Sequence, residues 1–284
     1  MKYCDLHCHS NYSDGSCSPE ELVNMACSLG LGAIALTDHN TLDGLECFYQ
    51  AAKGRIAACG GCEFSTEAEG QELHLLGLFL DPTNCDELKN ALNIQLQNED
   101  ESNRQTLERL ANAGFDVSYD EFVDLFEVRA KNRAHIARYL LKKGIVSQVQ
   151  EAFKELLSRD GSFYKESEKL NFYEMISLIH KVGGVAVWAH PLMQVDYSAC
   201  EKIVQKAIDY GLDGIEVYYS KYTDKDINFM RQLSKKYHLI ESGGSDFHGE
   251  SKPDIHIGIG RGNLHIPINC YETLRQRALE KTRG

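Results

Sequence analysis

Near its start the chain reads Asp5-Leu6-His7-Cys8-His9-Ser10, followed by Ser13-Asp14-Gly15. His7 and His9 are two residues apart, so an extended strand would point both side chains to the same face. Neutral imidazole is a common ligand of zinc, iron and manganese-like ions, and two imidazoles on one face form a chelate. A Ser-Asp-Gly turn can return the Asp14 carboxylate to the same place. The competing interpretation is a strand with two surface histidines and an ordinary turn.

The length and composition are typical of a globular chain with a large core. At 284 residues, 43% hydrophobic and 25% charged, the chain has the size of one α/β barrel or of one large domain with an insertion. The first fifteen residues are too polar for a signal peptide, and no apolar run reaches the roughly 18 residues of a membrane span. We therefore expect a cytoplasmic protein with no membrane partner.

Charge and cysteine usage narrow the possible partners. The formal charge of −12 argues against a protein that coats nucleic acid, because such a protein needs a basic stripe. Bound divalent cations would reverse that sign locally, so a nucleotide or an RNA end stays open as a ligand. The ten cysteines are scattered and fit core thiols, although Cys59 and Cys62 form one C-x-x-C pair for which zinc or redox chemistry is the alternative.

Strands and helices alternate in the first third of the chain. Ser18-Pro19-Glu20-Glu21 predicts a helix start with a capping serine and proline at the first helical position. Apolar strands are predicted over residues 32–37, 55–59 and 73–80, with a helix over residues 44–53. This order predicts parallel α/β units, in which catalytic groups lie at the carboxyl ends of the strands.

The pattern changes at about residue 85 and returns at about residue 166. Between these points the sequence predicts helices over residues 88–110, 119–126 and 134–143 and almost no strand. Beyond them it predicts strands over residues 183–188, 214–218 and 238–241 and helices over residues 172–181, 199–210, 224–237 and 271–281. We therefore predict a barrel domain of residues 1–84 and 166–284, with a helical insertion of residues 85–165 that acts as a lid or substrate subdomain.

Chemistry-bearing residues recur in the same structural position on different strands. Six of the eleven histidines lie at or near a predicted strand end, together with four acidic residues: His7, His9, His39, His74, His190, His248, Asp14, Asp38, Glu63 and Asp246. Packing explains one such histidine easily, but each buried imidazole needs a hydrogen-bond partner. Six in equivalent positions therefore predict a site for several metal ions.

Six motifs in a fixed order resemble one family. They read H-C-H-S…S-D-G, T-D-H-N, G-C-E-F-S, A-H-P, G-I-E-V-Y-Y and G-G-S-D-F-H-G, and together they resemble the PHP (polymerase and histidinol phosphatase) family, in particular its nucleoside-phosphate phosphatase branch. The resemblance implies an α/β fold, a distorted (β/α)7 TIM-like barrel, and a metal-dependent phosphoesterase. Two departures affect the pocket: Ala134 replaces a usual proline in the insertion, and Asn40 stands where this family often has aspartate.

The same resemblance implies two or three divalent ions, of manganese, iron or zinc, and a ligand set for each. The first ion would be held by His7, His9, Glu63 and Asp246. Glu63 would bridge to a second ion, also held by His74 and His190. The third would be held by Asp14, His39 and His248.

Elementary chemistry gives such ions a role. A phosphate ester resists hydrolysis because its negative charge repels nucleophiles, and divalent ions roughly 3.5–4 Å apart would neutralise that charge, acidify a bridging water and stabilise the leaving oxygen. Asp38 and Glu216 are predicted to orient imidazoles from outside the ligand set.

The insertion offers residues of its own for the substrate. Arg133 and His135 are predicted to bind the substrate phosphate, and His135 could also protonate the leaving group, so that these two and Asp246 form the predicted catalytic set. Lys165 is a further candidate contact. The competing interpretation of Arg133 and His135 is a solvated helix start.

These observations lead to one leading hypothesis and three alternatives. The leading hypothesis is a phosphatase for a nucleotide phosphate monoester, either a 3′,5′-bisphosphonucleotide or a nucleoside monophosphate, that uses a metal-bridged hydroxide. The alternatives are a 5′→3′ exoribonuclease for short RNA, a histidinol-phosphate phosphatase, and a non-catalytic metal-binding module. The sequence predicts no obligate protein partner and does not fix the metal.

Overall fold

A computed structural model describes residues 2–159 and 161–282 and divides into two compact units. One unit comprises residues 1–90 and 170–284, and the other comprises residues 91–169. All the strands that the structure describes belong to the first unit. No helix within the described ranges has both the length and the apolar character needed to span a membrane.

A nearly closed, barrel-shaped sheet forms the first unit. Its strands are β1 (Cys4–Asp5), β2 (Ala33–Leu36), β3 (Ala57–Ala68), β4 (Gln71–Leu78), β5 (Leu170–Asn171), β6 (Val185–Trp188), β7 (Gly214–Tyr219) and β8 (Ile240–Gly244). They follow the order β1-β2-β3-β4-β6-β7-β8, and β5 pairs with β3. Neighbouring strands are parallel, except that β4 is antiparallel to β3 and to β6. The predicted α/β barrel is therefore confirmed.

Helices connect most of the strands. They are α1 (Pro19–Ser28), α2 (Leu45–Ala52), α3 (Asp86–Asn112), α4 (Tyr119–Leu125), α5 (Arg133–Lys142), α6 (Val149–Glu151), α7 (Phe172–Lys181), α8 (Tyr197–Ala207), α9 (Asp224–Tyr237) and α10 (Ile268–Lys281). The predicted capping box is present at α1, where the Ser18 hydroxyl accepts the N–H of Glu21 and the Glu21 carboxylate accepts the N–H of Ser18.

Small and branched apolar side chains fill the barrel core. β2 and β6 are buried along their whole length, as expected for parallel strands covered on both faces. Their side chains pack with others from the neighbouring strands and from α10, among them Leu6, Ala33, Ala35, Leu76, Val185, Val187 and Leu274. This packing holds the strand ends, and the polar residues that follow them, in fixed positions.

The predicted parallel α/β units do not extend to β3 and β4, which pair antiparallel. The predicted strand over residues 55–59 in fact continues to Ala68 and passes through Glu63. No helix follows it, because Glu69 and Gly70 both adopt positive φ (54° and 70°) and form a two-residue hairpin turn into β4. His74 therefore lies inside an antiparallel strand rather than at a strand end.

The second unit, residues 91–169, is helical and has its own hydrophobic core. Residues from three of its helices meet there, including Leu107, Leu110, Phe122, Ile136 and Leu140. Helices α3, α4 and α5 begin and end within two residues of the predicted bounds 88–110, 119–126 and 134–143. The predicted role of this segment as a lid or substrate subdomain stays a prediction.

Candidate metal centre

His7 and His9 lie in extended backbone just beyond β1. Their Nε2 atoms are 3.0 Å apart, and both side chains are fully buried. Asp5 holds this segment against two distant loops, because its carboxylate accepts the backbone N–H of Ser245 at 2.9 Å and that of Gly258 at 2.7 Å. Asp5 is a positioning residue that the sequence analysis missed, since both partners are more than 200 residues away along the chain.

Glu63 lies at the centre of the cluster and is fully buried. Each of its two oxygens faces a different group of imidazole nitrogens. Oε2 lies 3.0 Å from His7 Nε2, 3.1 Å from His9 Nε2 and 3.3 Å from His39 Nδ1. Oε1 lies 2.8 Å from His74 Nδ1 and 2.9 Å from His190 Nε2. One carboxylate thus contacts five imidazoles, which is the geometry of a bridging ligand.

Asp246 closes the other side of the cluster. Its Oδ1 atom lies 3.4 Å from His9 Nε2 and 3.4 Å from His248 Nδ1. Its Oδ2 atom accepts hydrogen bonds from the Tyr219 hydroxyl at 2.8 Å and from Lys252 Nζ at 2.7 Å. The two oxygens therefore have different neighbours, histidines on one side and a phenol with an ammonium group on the other.

The donor atoms form overlapping sets that suit divalent ions. Within each set the atoms lie within 4.8 Å of one another, and the two largest sets are His7, His9, Glu63 and Asp246, and His9, Asp14, His39 and His248. Smaller sets are His39, Glu63 and His74, and His7, His190 and Glu216. All nine residues predicted as metal ligands are therefore brought together. His9 belongs to both of the larger sets.

A buried ring nitrogen supports the fit to metal ions. Across residues 2–159 and 161–282, the structure gives His9 Nδ1 no hydrogen-bond partner, although this atom is buried. A buried polar atom normally finds such a partner. Imidazole and carboxylate donors at this density are the ligands that manganese, iron and zinc accept.

The charges within the cluster are strongly coupled. Burial opposes ionisation of Glu63, but the facing His7, His39 and His74 hold its pKa well below the usual range. Burial likewise opposes ionisation of Asp246, while Lys252 and His248 hold its pKa well below the usual value. Both carboxylates are therefore anionic at neutral pH, the form that binds metal.

The pKa values of His39 and His9 are shifted in opposite directions. Burial lowers the pKa of His39 to about 3, so its ring is neutral and available as a ligand. His9 is also buried, but hydrogen bonding to Asp246 and Glu63 outweighs that effect and raises its pKa to about 9. A metal ion that binds His9 at neutral pH must therefore displace a proton.

Two further acids, Glu216 and Asp38, lie outside the proposed ligand sets. Glu216 Oε1 lies 3.0 Å from His7 Nδ1, and its Oε2 accepts the backbone N–H of His190 at 2.7 Å. Asp38 was predicted to orient an imidazole, but its recorded hydrogen bonds go elsewhere: it accepts the Ser10 hydroxyl and the Ser13 hydroxyl, each at 2.6 Å. Asp38 therefore fixes the loop that carries Asp14.

The residues predicted to bind substrate from the insertion have contacts within their own unit. Arg133 lies over the rings of Tyr164, at 5.0 Å, and Phe153, at 5.3 Å. His135 is buried and takes part in the capping box of α5 with Asn132. Lys165 is exposed, and its backbone N–H donates to Thr106. Their predicted contact with substrate stays a prediction.

Both cysteines of the C-x-x-C pair are buried thiols. Burial raises the pKa of Cys59 to about 12 and that of Cys62 well above its usual value, so neither thiol ionises near neutral pH. No metal-binding set found within the described residues includes either one. The core-thiol interpretation therefore fits them best.

The fold and the site together define a class of protein. It is an α/β barrel whose strand ends carry a buried histidine–carboxylate centre for divalent metals, an arrangement suited to the hydrolysis of phosphate esters.

Residues 5–170 match the PHP domain family, and the chain belongs to that family. The chain is 36% identical over 252 residues to a 5′-3′ exoribonuclease of Haemophilus influenzae, covering 87% of this chain and 90% of the relative. It is 29% identical to a 3′,5′-nucleoside bisphosphate phosphatase of Chromobacterium violaceum, covering 90% and 91%. A crystal structure from Bifidobacterium adolescentis, described as a metal-dependent phosphoesterase, matches with a TM-score of 0.87 and 24% identity, covering 98% of this chain and 96% of that one.

Family membership confirms the predicted fold and the predicted enzyme class. The chain is a metal-dependent phosphoesterase, a hydrolase that acts on phosphate esters.

Proposed function

We propose that this enzyme hydrolyses the O3′–P ester bond of a nucleotide that carries a phosphate at its 5′ end. One chemical observation supports this choice. A 3′,5′-bisphosphonucleotide and a 5′-phosphorylated RNA share that bond, and they differ only in whether the phosphorus is followed by the rest of the RNA. Cleavage of that one bond is compatible with both names of the two relatives, a 3′,5′-nucleoside bisphosphate phosphatase and a 5′-3′ exoribonuclease.

The 3′,5′-bisphosphonucleotide is the first candidate substrate, and short RNA is the second. The overall charge of −12 favours the smaller ligand, because a trailing RNA strand adds phosphates that an acidic surface repels. The higher identity to the exoribonuclease favours short RNA. One active site of this kind is able to accept both.

The proposed ligand sets follow the geometry. One ion would be held by His7, His9, Glu63 and Asp246, a second by Glu63, His74 and His190, and a third by Asp14, His39 and His248. Contacts to both oxygens of Glu63 and the shared position of His9 support three adjoining sites. Manganese, iron and zinc all suit these donors, and elemental analysis of the purified protein would determine which is present and in what number.

When bound, the ions would supply positive charge that offsets the charge of the phosphate and activates water. The chain's own residues hold the arrangement. Glu216 accepts from His7 Nδ1 and so leaves Nε2 directed at the cluster. Asp38 fixes the Ser10–Ser13 loop before Asp14. Because these acids are buried, bulk water does not compete for their hydrogen bonds.

The test compares substrates under metal-loaded conditions. Manganese-loaded protein is incubated with adenosine 3′,5′-bisphosphate, with a 5′-phosphorylated RNA pentamer and with histidinol phosphate, in water labelled with oxygen-18. We expect 5′-AMP and labelled phosphate from the first substrate, and 5′-mononucleotides from the second. Attack at phosphorus leaves no label on the 3′-hydroxyl.

Glu63→Gln is the matched control, and its metal content is measured alongside its activity. Wild-type protein with bound metal that releases nothing from either nucleotide would contradict the proposal. Phosphate release from histidinol phosphate alone would indicate a histidinol-phosphate phosphatase. No hydrolysis of any of the three substrates would favour the non-catalytic metal-binding module.

A further inference from the structure

Two lysines follow neighbouring strands at the same edge of the barrel as the metal centre. Lys221 lies two residues after the end of β7, and Lys252 lies in the loop after β8. Both loops leave the carboxyl ends of parallel strands, which is also where Asp246 lies. Neither lysine was identified from the sequence, and both belong to the barrel unit, whereas Lys165, the predicted substrate contact, belongs to the helical unit.

Lys252 stands next to the cluster without being part of it. Its Nζ atom is 2.7 Å from Asp246 Oδ2, whereas Asp246 Oδ1 faces His9 and His248 at 3.4 Å. The ammonium group is therefore on the outer side of the carboxylate. About a third of the Lys252 side chain (31%) is exposed to solvent, so a ligand can reach it.

Lys221 adds a second positive charge that is not neutralised. Its side chain is exposed, and within residues 2–159 and 161–282 no ion pair or hydrogen bond is recorded for it. Partial burial and the nearby charge of Lys252 lower the pKa of Lys221, against the opposing effect of Asp246. The next cation, Arg261, is already paired with Asp254 at 2.8 Å. The charges that act on Lys221 are therefore two cations, Lys252 and Arg261, and two carboxylates, Asp246 and Asp254, so the three cations of this group outnumber its carboxylates by one.

Such an arrangement is unfavourable unless an anion completes it. Like charges that are brought together repel, and the repulsion is strongest where solvent is partly excluded. The chain as a whole carries a charge of −12, so a local surplus of positive charge is not a general property of its surface. It is located beside the residues that would hold the metal ions, where a phosphate group would have to approach.

We infer that Lys221 and Lys252 form a subsite on the barrel for the second, non-reacting phosphate of the substrate. The inference rests on the proposed function, in which that group is the 5′-phosphate. Both phosphates are attached to one ribose, so a group that binds the second phosphate must lie beside the metal centre. Lysine binds phosphate oxygens as a compact point charge and needs no fixed orientation, which suits a long side chain that projects from a loop.

The experiment pairs two substrates that differ only in this phosphate. Adenosine 3′,5′-bisphosphate carries it, and adenosine 3′-monophosphate has the same scissile ester without it. Lys221→Met is the main variant, because it leaves the hydrogen bond between Lys252 and Asp246 in place. Lys252→Met is the second variant, and its metal content is measured. Lys236→Met, whose ammonium pairs with Glu201 at 2.6 Å on another face, controls for the loss of one charge.

We expect Lys221→Met to raise KM for the bisphosphate about tenfold, because a hydrogen bond to a charged group is lost with this substrate. The 3′-monophosphate cannot make that bond, so its kcat/KM should stay within about twofold of the wild-type value. Lys236→Met should match the wild type on both substrates. An equal loss on both substrates, no loss on either, or the same selective loss in Lys236→Met would each overturn the inference.

A binding measurement separates failure of this inference from failure of the proposed function. Calorimetric titration with 5′-AMP and with adenosine measures the contribution of the 5′-phosphate without any turnover at a 3′ ester. If wild-type protein hydrolyses neither nucleotide, the proposed function fails, but a preference for 5′-AMP over adenosine that disappears in Lys221→Met would still support an anion subsite. An unchanged preference would refute it.

Discussion

Replacement of Glu216 by glutamine tests the metal centre without touching a proposed ligand. The carboxylate is fully buried and makes two contacts with fixed polarity, because Oε1 accepts from His7 Nδ1 at 3.0 Å and Oε2 accepts the backbone N–H of His190 at 2.7 Å. A glutamine has one acceptor and one donor in these two positions. It can satisfy both contacts only if His7 Nδ1 gives up its proton, and otherwise it satisfies one.

Both orientations of the glutamine are unfavourable for metal binding. With its oxygen toward His7, its amide NH2 faces the N–H of His190, and two donors meet in a buried position. With its NH2 toward His7, Nδ1 must be unprotonated, so the proton moves to Nε2 and blocks the nitrogen that faces Glu63 at 3.0 Å.

A buried group left without its partner costs about 1–3 kcal/mol, which corresponds to roughly 5- to 150-fold in an equilibrium constant. Loss of a carboxylate that orients a ligating histidine lowers metal affinity by about 10- to 100-fold. We therefore expect Glu216→Gln to bind the ion at His7 about 10- to 100-fold more weakly, with the fold retained.

Manganese titration by calorimetry, with circular dichroism to check the fold, measures this effect. Glu201→Gln is the matched control, because the Glu201 carboxylate on α8 pairs with the exposed Lys236 on α9. If Glu216→Gln bound manganese with the stoichiometry and affinity of the wild type, the argument from hydrogen-bond polarity would be refuted.

Three further predictions concern the cluster and the barrel. Glu63→Gln should lose more than one equivalent of metal by elemental analysis, because both carboxylate oxygens contact ligands. Manganese affinity should fall as pH decreases below about 9, because His9 is protonated in metal-free protein; calorimetry in buffers of different ionisation enthalpy should detect proton release. Asp213→Asn should lower the free energy of unfolding in urea by about 2 kcal/mol, because it leaves partly buried cations unpaired. The control Glu280→Gln, at an exposed position, should lower this free energy by under about 0.5 kcal/mol.

Asp213→Asn should also change how the stability of the fold depends on pH. Burial opposes ionisation of Asp213, but His180, Ala186 N–H and Lys281 hold its pKa below the usual value. A carboxyl group with a lowered pKa stabilises the fold above its unfolded-state pKa, and the contribution is lost as pH falls toward the folded-state value. We expect acid unfolding of Asp213→Asn to depend less on pH below about 4 than that of the wild type.

The proposed metal ligands were accessible from the sequence because each follows a local pattern. His7 and His9 alternate along an extended segment, and Asp246 and His248 repeat that spacing after β8. Such patterns depend on backbone geometry within a few residues, which the sequence specifies directly. The residues that support the ligands have no such pattern. Lys252 and Tyr219 become relevant only because Asp246 Oδ2 lies within 2.8 Å of both.

The sequence by itself therefore determined the barrel class, the helical insertion and the residues of the proposed metal centre, since periodicity and motif order are local properties. Only the tertiary structure decided that β3 and β4 form a hairpin, that Glu63 reaches five imidazoles, and that Asp5 and Asp38 hold loops instead of metal ligands. These features depend on contacts between residues far apart in the chain, and such contacts exist only once the core has packed and fixed the strand ends relative to one another.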